Sequence, residues 1–201
     1  MPPLVENRES SSGLSLAIRL RQDSSDAWSE LVELYGPLVE SWSAKAGLAP
    51  MAREDVAQEV FLSVHRSIHR FDPTIPGATF RGWLWRITRN AILKSLARTE
   101  PRPIGGSTAN AGLAEIADPW PDASEHDPPT DPSETTLLLQ RAIAQIKPRI
   151  ERQTWQAFWH TVVLGQTTAE VAEGLGMTRP AVRKAKSRTL HRLRQQLGDA
   201  D

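Results

Sequence analysis

From Leu14 onward the apolar residues Leu16, Leu20, Ala27, Leu31, Leu34, Tyr35, Leu38, Val39 and Trp42 recur at three- and four-residue steps. That is the period of α-helices with one buried face. Gly47 and Pro50 end the run. A further helix is expected from about Ala52, with Glu54 and Asp55 in its first turn, where the helix dipole favours acids. Val56, Val60, Phe61, Val64 and Ile68 form its buried stripe. Residues 71–77 read Phe-Asp-Pro-Thr-Ile-Pro-Gly and must be a loop, because two prolines and a glycine stop a helix. A fourth helix is expected from Thr79 to Arg98. Residues 101–133 break the pattern, with 7 of the 15 prolines and one base against six acids. Such a segment buries too little apolar surface to offset its ordering entropy and is expected to be a linker. Helical spacing returns from Pro132 to Leu197, and no strand-like alternation stands out. The fold class expected is all-α: a polar, disordered N-terminus (1–13), a four-helix domain (14–100), a flexible Pro-rich acidic linker (101–133) and a second small helical domain (134–198).

Composition narrows the chemistry. The chain has 201 residues and no cysteine, which removes disulfides, thiolate metal sites and cysteine nucleophiles. Its apolar runs fall short of the ~20 residues a membrane span needs. The N-terminus lacks the basic-then-apolar layout of a secretory signal, so a cytoplasmic protein without membrane insertion is expected. Equal numbers of bases and acids, 24 each, hide an alternation. Residues 1–65 and 101–133 are acidic, whereas 66–98 and 141–197 are basic. Two separate basic blocks are either solvated helix faces or two anion-binding surfaces suited to nucleic acid.

The second basic block carries a helix-turn-helix layout over residues 167–183. Thr167 or Thr168 can cap a short helix whose Ala169, Val171 and Ala172 permit a close crossing. Gly176 can adopt a positive φ in the turn, and Met177 plugs the core. Thr178 caps the second helix, where Pro180 is tolerable because it falls in the first turn. That helix carries Arg179, Arg183, Lys184, Lys186, Ser187, Arg188, Arg192 and Arg194, with no acid before Asp199. A major groove admits one such helix, and its bases can reach guanine edges or phosphates. Val182, Ala185, Leu190, Leu193 and Leu197 are its expected inward face.

In the N-terminal half, Asp55, Gln58, Glu59 and Leu62 share one helix face at i, i+3, i+4 and i+7. This is either a solvated face or a docking stripe for a basic protein. Residues 80–90, Phe-Arg-Gly-Trp-Leu-Trp-Arg-Ile-Thr-Arg-Asn, interleave rings with arginines just after the Pro/Gly loop. Rings stack on unpaired bases while arginines hold the strand. Trp83, Leu84, Ile87 and Ile92 read better as core, whereas Arg86, Arg89, Asn90 and Lys94 do not.

The order of an Asp-x-x-Gln-Glu-Val-Phe helix, a Phe-Asp-Pro loop, a Phe-x-x-Trp-Leu-x-x-Ile-x-x-Asn helix, an acidic linker and a basic helix-turn-helix resembles bacterial extracytoplasmic-function (ECF) sigma factors. The resemblance covers residues 14–100 and 134–198. It implies a dissociable subunit of RNA polymerase with no cofactor and no catalysis of its own. Asp55, Gln58, Glu59 and Leu62 would then grip the coiled coil of the largest polymerase subunit, and the flap would be a second polymerase contact. The loop with Phe71 and Phe80, together with Asn90, would capture a base flipped from the −10 element, with Arg81, Arg86, Arg89 and Lys94 on the backbone. Arg179, Arg183, Lys184, Ser187 and Arg188 would meet the −35 element as duplex. Promoter DNA and core RNA polymerase are the implied partners, and an anti-sigma factor is a third. One departure is that Pro180-Ala181 stand where this group commonly has Gly-Thr.

Other classes fit less well. His65 and His69 lie four apart, but Arg66-Ser67-Ile68 between them lacks the glutamate of a zincin helix, so no metal site is expected. Asp55 and Glu59 come with no phosphate loop or nucleophile, so no enzyme is expected. A helix-turn-helix regulator that is not a polymerase subunit is the alternative, yet it predicts a ligand or receiver domain before residue 100 that the sequence lacks. Promoter elements ~25 base pairs apart lie ~80 Å apart. A coil of residues 101–133 spans ~30 Å on average and ~110 Å drawn out, so the linker is expected to extend.

Overall fold

The computed structural model describes residues 15–99 and 131–199, so the expected N-terminal tail and nearly all of the linker lie outside the described residues. The elements are α1 (Leu16–Arg21), α2 (Ser25–Lys45), α3 (Pro50–Ser67), α4 (Phe80–Thr99), α5 (Pro132–Ile146), α6 (Arg152–Val162), α7 (Thr168–Leu175) and α8 (Arg179–Gln196). Among the described residues there is no strand, in keeping with the all-α expectation. Contacts divide the chain into two compact units, one of residues 35–134 and one of residues 1–34 with 135–201. Sequence order alone places α1 and the start of α2 with α3 and α4, whereas contacts group them with the C-terminal helices. Among the described residues no helix is long and apolar enough to cross a membrane.

In unit 35–134 the three- and four-residue spacing translates directly into burial. Leu38, Val39 and Trp42 of α2, Val56, Val60 and Val64 of α3, and Leu84, Ala91 and Ile92 of α4 are buried. Each large aliphatic side chain among them contributes roughly 1.5–3 kcal/mol. Helix α3 starts at Pro50, two residues earlier than expected, because proline suits the first helical position. Glu54 and Asp55 therefore lie beyond the first turn, which holds no acid. The loop before α4 is organised locally. Asp72 Oδ1 accepts from the Thr74 amide at 2.9 Å and hydroxyl at 2.7 Å. Thr79 Oγ1 accepts from the Gly82 amide at 3.0 Å and so caps α4.

Unit 1–34 with 135–201 buries Leu16, Leu20, Ala27 and Leu31 from its first segment and Leu138, Ala142 and Ile146 from α5. A second cluster of Ala157, Val171, Ala172, Val182 and Ala185 fills the crossing of α6, α7 and α8, with Leu175 and Met177 packed against it. Unexpectedly, this unit also buries a polar centre of Arg19, Glu30 and Gln196. Arg19 and Arg149 both ion-pair with the Glu30 carboxylate. Gln196 Nε2 donates to Glu30 Oε2 at 2.9 Å and to Gln145 Oε1 at 2.8 Å. Gln145 Nε2 in turn donates to the Glu30 carbonyl at 3.2 Å. This network corrects the expected inward face of α8: Leu190, Leu193 and Leu197 are only half-buried, while Thr189 and Gln196 are buried. The last turn of α8 is committed to the amide of Gln196, which rotates its leucines toward the edge.

Burial alone would raise the Glu30 carboxyl. The hydrogen bonds from Arg19, Gln196 and Arg149, with the Arg19 charge, outweigh it and lower the pKa from the usual 4.5 to about 2. A carboxyl depressed in the folded state contributes stability that is complete above its unfolded value and is lost as pH falls toward the folded one. The Tm of the wild type should therefore fall as pH drops from 4.5 toward about 2. Glu30→Gln should start about 2 kcal/mol less stable at neutral pH, because two arginines lose their counter-charge. Its Tm should also decline less over the acid window. Equal acid slopes by circular dichroism melting would remove Glu30 as the origin.

Candidate nucleic-acid interface

The helix-turn-helix is set by three local devices. At the start of α7, Glu170 Oε2 accepts from the Thr167 amide and hydroxyl, both at 2.8 Å, while the Glu170 amide donates to Thr167 Oγ1 at 3.3 Å. This capping box satisfies helix-end donors in both directions, and the bonds from Thr167 hold the Glu170 carboxyl below its ordinary value. Thr167, rather than Thr168, is the cap, and the Thr-x-x-Glu spacing was the sequence signal for it. At the end of α7, Gly176 takes φ 62° and ψ 32°, and the Met177 amide donates to the Ala172 carbonyl at 2.9 Å. At the start of α8, Thr178 Oγ1 accepts from the Ala181 amide at 3.3 Å, with Pro180 in the first turn as expected.

These devices present α8 with Val182 and Ala185 inward and Arg179, Arg183, Lys184, Ser187 and Arg188 exposed. The five residues expected at duplex DNA therefore share one accessible helix. Arg192 is used differently, since its Nη1 donates to the Arg149 carbonyl at 2.8 Å. That bond anchors α8 to the turn that follows α5.

In unit 35–134, Asp55, Gln58 and Leu62 of α3 are exposed and Glu59 is half-exposed, so the expected docking stripe faces outward. Glu59 also touches the neighbouring basic face: Lys94 Nζ lies 3.5 Å from Glu59 Oε1. On α4, Arg89 and Asn90 are exposed and Arg86 is partly exposed, at helical spacing from Lys94. Phe71 and Phe80 do not belong to this surface. They are 1% and 0% exposed. Their ring centroids sit 5.4 Å apart, edge to face, with Trp83 5.4 Å from Phe71 and 5.5 Å from Phe80, and Tyr35 5.2 Å from Phe80. These rings anchor the Pro/Gly loop to the core and leave no face for a base to stack on. Both therefore sit apart from the exposed residues of α4.

Arg81 is placed inside a second cluster that sequence reasoning missed. Its guanidinium lies 6.0 Å from the centroid of the Trp42 ring and 4.0 Å from Glu134 Oε2. Glu134 Oε1 accepts from Ser41 Oγ at 2.6 Å and from Lys45 Nζ at 2.7 Å. Lys45 Nζ also reaches Asp131 Oδ2 at 2.7 Å. Hydrogen bonds to Asp131 and Glu134 raise the Lys45 pKa, and those from Lys45 and Ser133 hold Asp131 well below the carboxylate range. No sequence signal links residues this far apart along the chain.

Residues 31–102 match the family described as Sigma-70 region 2, which spans α3, α4 and most of α2. The chain is 32% identical over 146 residues to the probable RNA polymerase sigma factor RfaY of Xanthomonas campestris pv. campestris, covering 73% of this chain and 34% of that protein. It is 29% identical over 182 residues to the ECF RNA polymerase sigma factor SigE of Mycolicibacterium smegmatis, covering 89% and 63%. It is 29% identical over 183 residues to the RNA polymerase sigma factor CarQ of Myxococcus xanthus, covering 91% and 96%. The chain thus spans about a third of the length of the first relative, just under two thirds of the second and nearly all of the third.

The turn of the helix-turn-helix is testable by itself. A Cβ at Gly176 would meet nothing within 4 Å, so the positive φ alone opposes substitution. Gly176→Ala should cost roughly 1–2 kcal/mol, and Gly176→Asn less, because asparagine tolerates the left-handed region. Thermal melts of both variants check the order, and an alanine variant as stable as wild type would show that the turn is not strained.

Proposed function

We propose that this chain, a member of the extracytoplasmic-function group of the sigma-70 family, is a dissociable RNA polymerase subunit that directs initiation at promoters. The observation that carries the reading is the region-2 match over residues 31–102, where α3 and α4 present an acidic stripe and a basic face side by side. Asp55, Gln58, Glu59 and Leu62 serve as the grip on core polymerase. An acidic, partly apolar stripe complements a basic helical partner by charge and by the exposed Leu62 side chain, which such a partner would cover. Arg86, Arg89, Asn90 and Lys94 hold the opened −10 strand, with Asn90 supplying the donor and acceptor pair that reads a flipped base. Flipping costs a few kcal/mol of stacking, offset by those contacts and by phosphate neutralisation.

Arg179, Arg183, Lys184, Ser187 and Arg188 of α8 meet the −35 element as duplex in the major groove. The domains assigned to these tasks are 14–100 and 134–198, joined by the acidic linker 101–133. The protein does no chemistry of its own and works in the cytoplasm, with polymerase and the chromosome. An anti-sigma protein that covers the α3 stripe is the natural means of holding it inactive.

Run-off transcription with purified core polymerase, on a template from the upstream region of its own gene, tests this reading. The wild type should give a specific transcript. Gln58→Ala/Glu59→Ala should lose it through core affinity weakened by roughly tenfold, about 1.4 kcal/mol. Asn90→Ala should keep core binding and lose strand opening. Arg183→Ala should lower duplex affinity by roughly 1–3 kcal/mol. A wild-type chain that binds duplex but never core would replace this reading with that of a free-standing regulator.

A further inference from the structure

We propose that Ser41, Lys45 and Arg81 form a phosphate site for the promoter strand, which the Glu134 carboxylate occupies in the unbound chain. The proposal rests on the DNA-binding role of α4 given above and adds two residues of α2 to it. All the groups involved lie in unit 35–134.

The site has the composition of an anion receptor: one hydroxyl, one ammonium and one guanidinium converge on a single carboxylate. The carboxylate itself is a poor match. Glu134 is buried at 6%, yet its Oε2 has no hydrogen-bond partner and stands 4.0 Å from Arg81. Buried carboxylate oxygens are costly when unsatisfied. Glu134 thus reaches Ser41 and Lys45 with one oxygen and stops short of Arg81 with the other. A phosphodiester is larger and holds its two non-bridging oxygens further apart on a tetrahedral phosphorus, so it can bond Lys45 and Arg81 together, the guanidinium in its preferred forked geometry. The Lys45 side chain is 46% exposed, so the rim through which a strand would enter is open. Arg81 lies in the first turn of α4, the helix that carries Arg86, Arg89 and Lys94 further along.

The present occupant is built to compete. Asp131 and Glu134 close an acid-rich stretch of sequence and sit on the same chain as the receptor. Tethering gives them an effective concentration on the order of millimolar. Asp131 also accepts from the Ser133 amide at 2.8 Å, so α5 begins with a capped first turn whose acids point at Lys45. The chain therefore weakens its own hold on nucleic acid until a strand of sufficient charge displaces those two carboxylates.

The test uses the full chain and a fluorescein-labelled oligothymidylate of about 12 nucleotides, whose binding depends on backbone and stacking rather than sequence. Anisotropy is measured at several salt concentrations. Asp131→Asn/Glu134→Gln keeps the helix cap and the Ser41 hydrogen bond while removing both charges. It should bind roughly tenfold tighter than wild type at low salt. Adding Lys45→Ala to that variant should abolish most of the gain and reduce the salt slope by about 0.7, the value of one phosphate contact on a single strand. If the double variant loses helicity, Glu134→Gln alone carries the test, with an expected gain of about threefold. Unchanged affinity, or a gain that survives Lys45→Ala, overturns the proposal. Core-polymerase capture by the same proteins separates the two levels. Unchanged DNA affinity with core binding intact overturns the phosphate site alone, and a wild type that fails to bind core overturns the functional reading together with it.

Discussion

The carboxylate of Glu30 gathers donors from segments far apart in the chain: Arg19 of α1, Arg149 of the turn after α5, and Gln196 at the end of α8. A charge removed from water is expensive unless it is paired and its remaining lone pairs are satisfied. Glu30 meets both conditions, and Gln145 completes the ring by bonding both Gln196 and the Glu30 carbonyl. Such a centre fixes geometry more strictly than an apolar contact of equal area, because a shift of one helix leaves a buried donor or acceptor unpaired. The orientation of α8 follows from it. With its last turn held by Gln196 and the preceding turn tied to the Arg149 carbonyl through Arg192, the helix can turn Arg183, Lys184 and Arg188 outward.

The two basic surfaces are prepared differently. On α8 the cations Arg179, Arg183, Lys184 and Arg188 are exposed. On α4 two partly buried cations already face acids, Lys94 with Glu59 and Arg81 with Glu134. A chain with no net charge achieves local positive potential only by segregating its charges, and the cost of segregation is that nearby acids fill the basic sites. Under the function proposed above this arrangement has a use, because a promoter-recognition subunit must not settle on random DNA before it has met polymerase.

Much of the fold was legible because its determinants are local. Val56, Val60 and Val64 lie on one face by spacing alone. The positive φ at Gly176 and the cap at Thr178 follow from what those residue types can do within a few bonds. The failures are as informative. Phe80 sits among arginines and reads as a stacking ring, yet it packs with Phe71 in the core, because a loop rich in proline and glycine has no ladder to hold it and needs aromatic anchors. The leucines near the end of α8 yielded their place to Gln196 for a reason located 166 residues away, at Glu30. The Glu134–Ser41 bond spans 93 residues and left no periodic trace. The candidate site split along the same line: exposed residues on one helix face were readable, and residues brought together by tertiary contact were not.

The short bridge between Glu59 and Lys94 has a thermodynamic corollary. One end belongs to the stripe assigned to polymerase and the other to the face assigned to DNA, at 43% and 33% side-chain exposure. Whatever engages the carboxylate frees the ammonium, and linkage makes the effect reciprocal: a ligand on either side strengthens the other by the same factor. Because an exposed pair is worth about 1 kcal/mol at most, that factor is bounded near five. Two bindings that share no atoms are thus coupled through a single ion pair, weakly enough that neither is compulsory for the other.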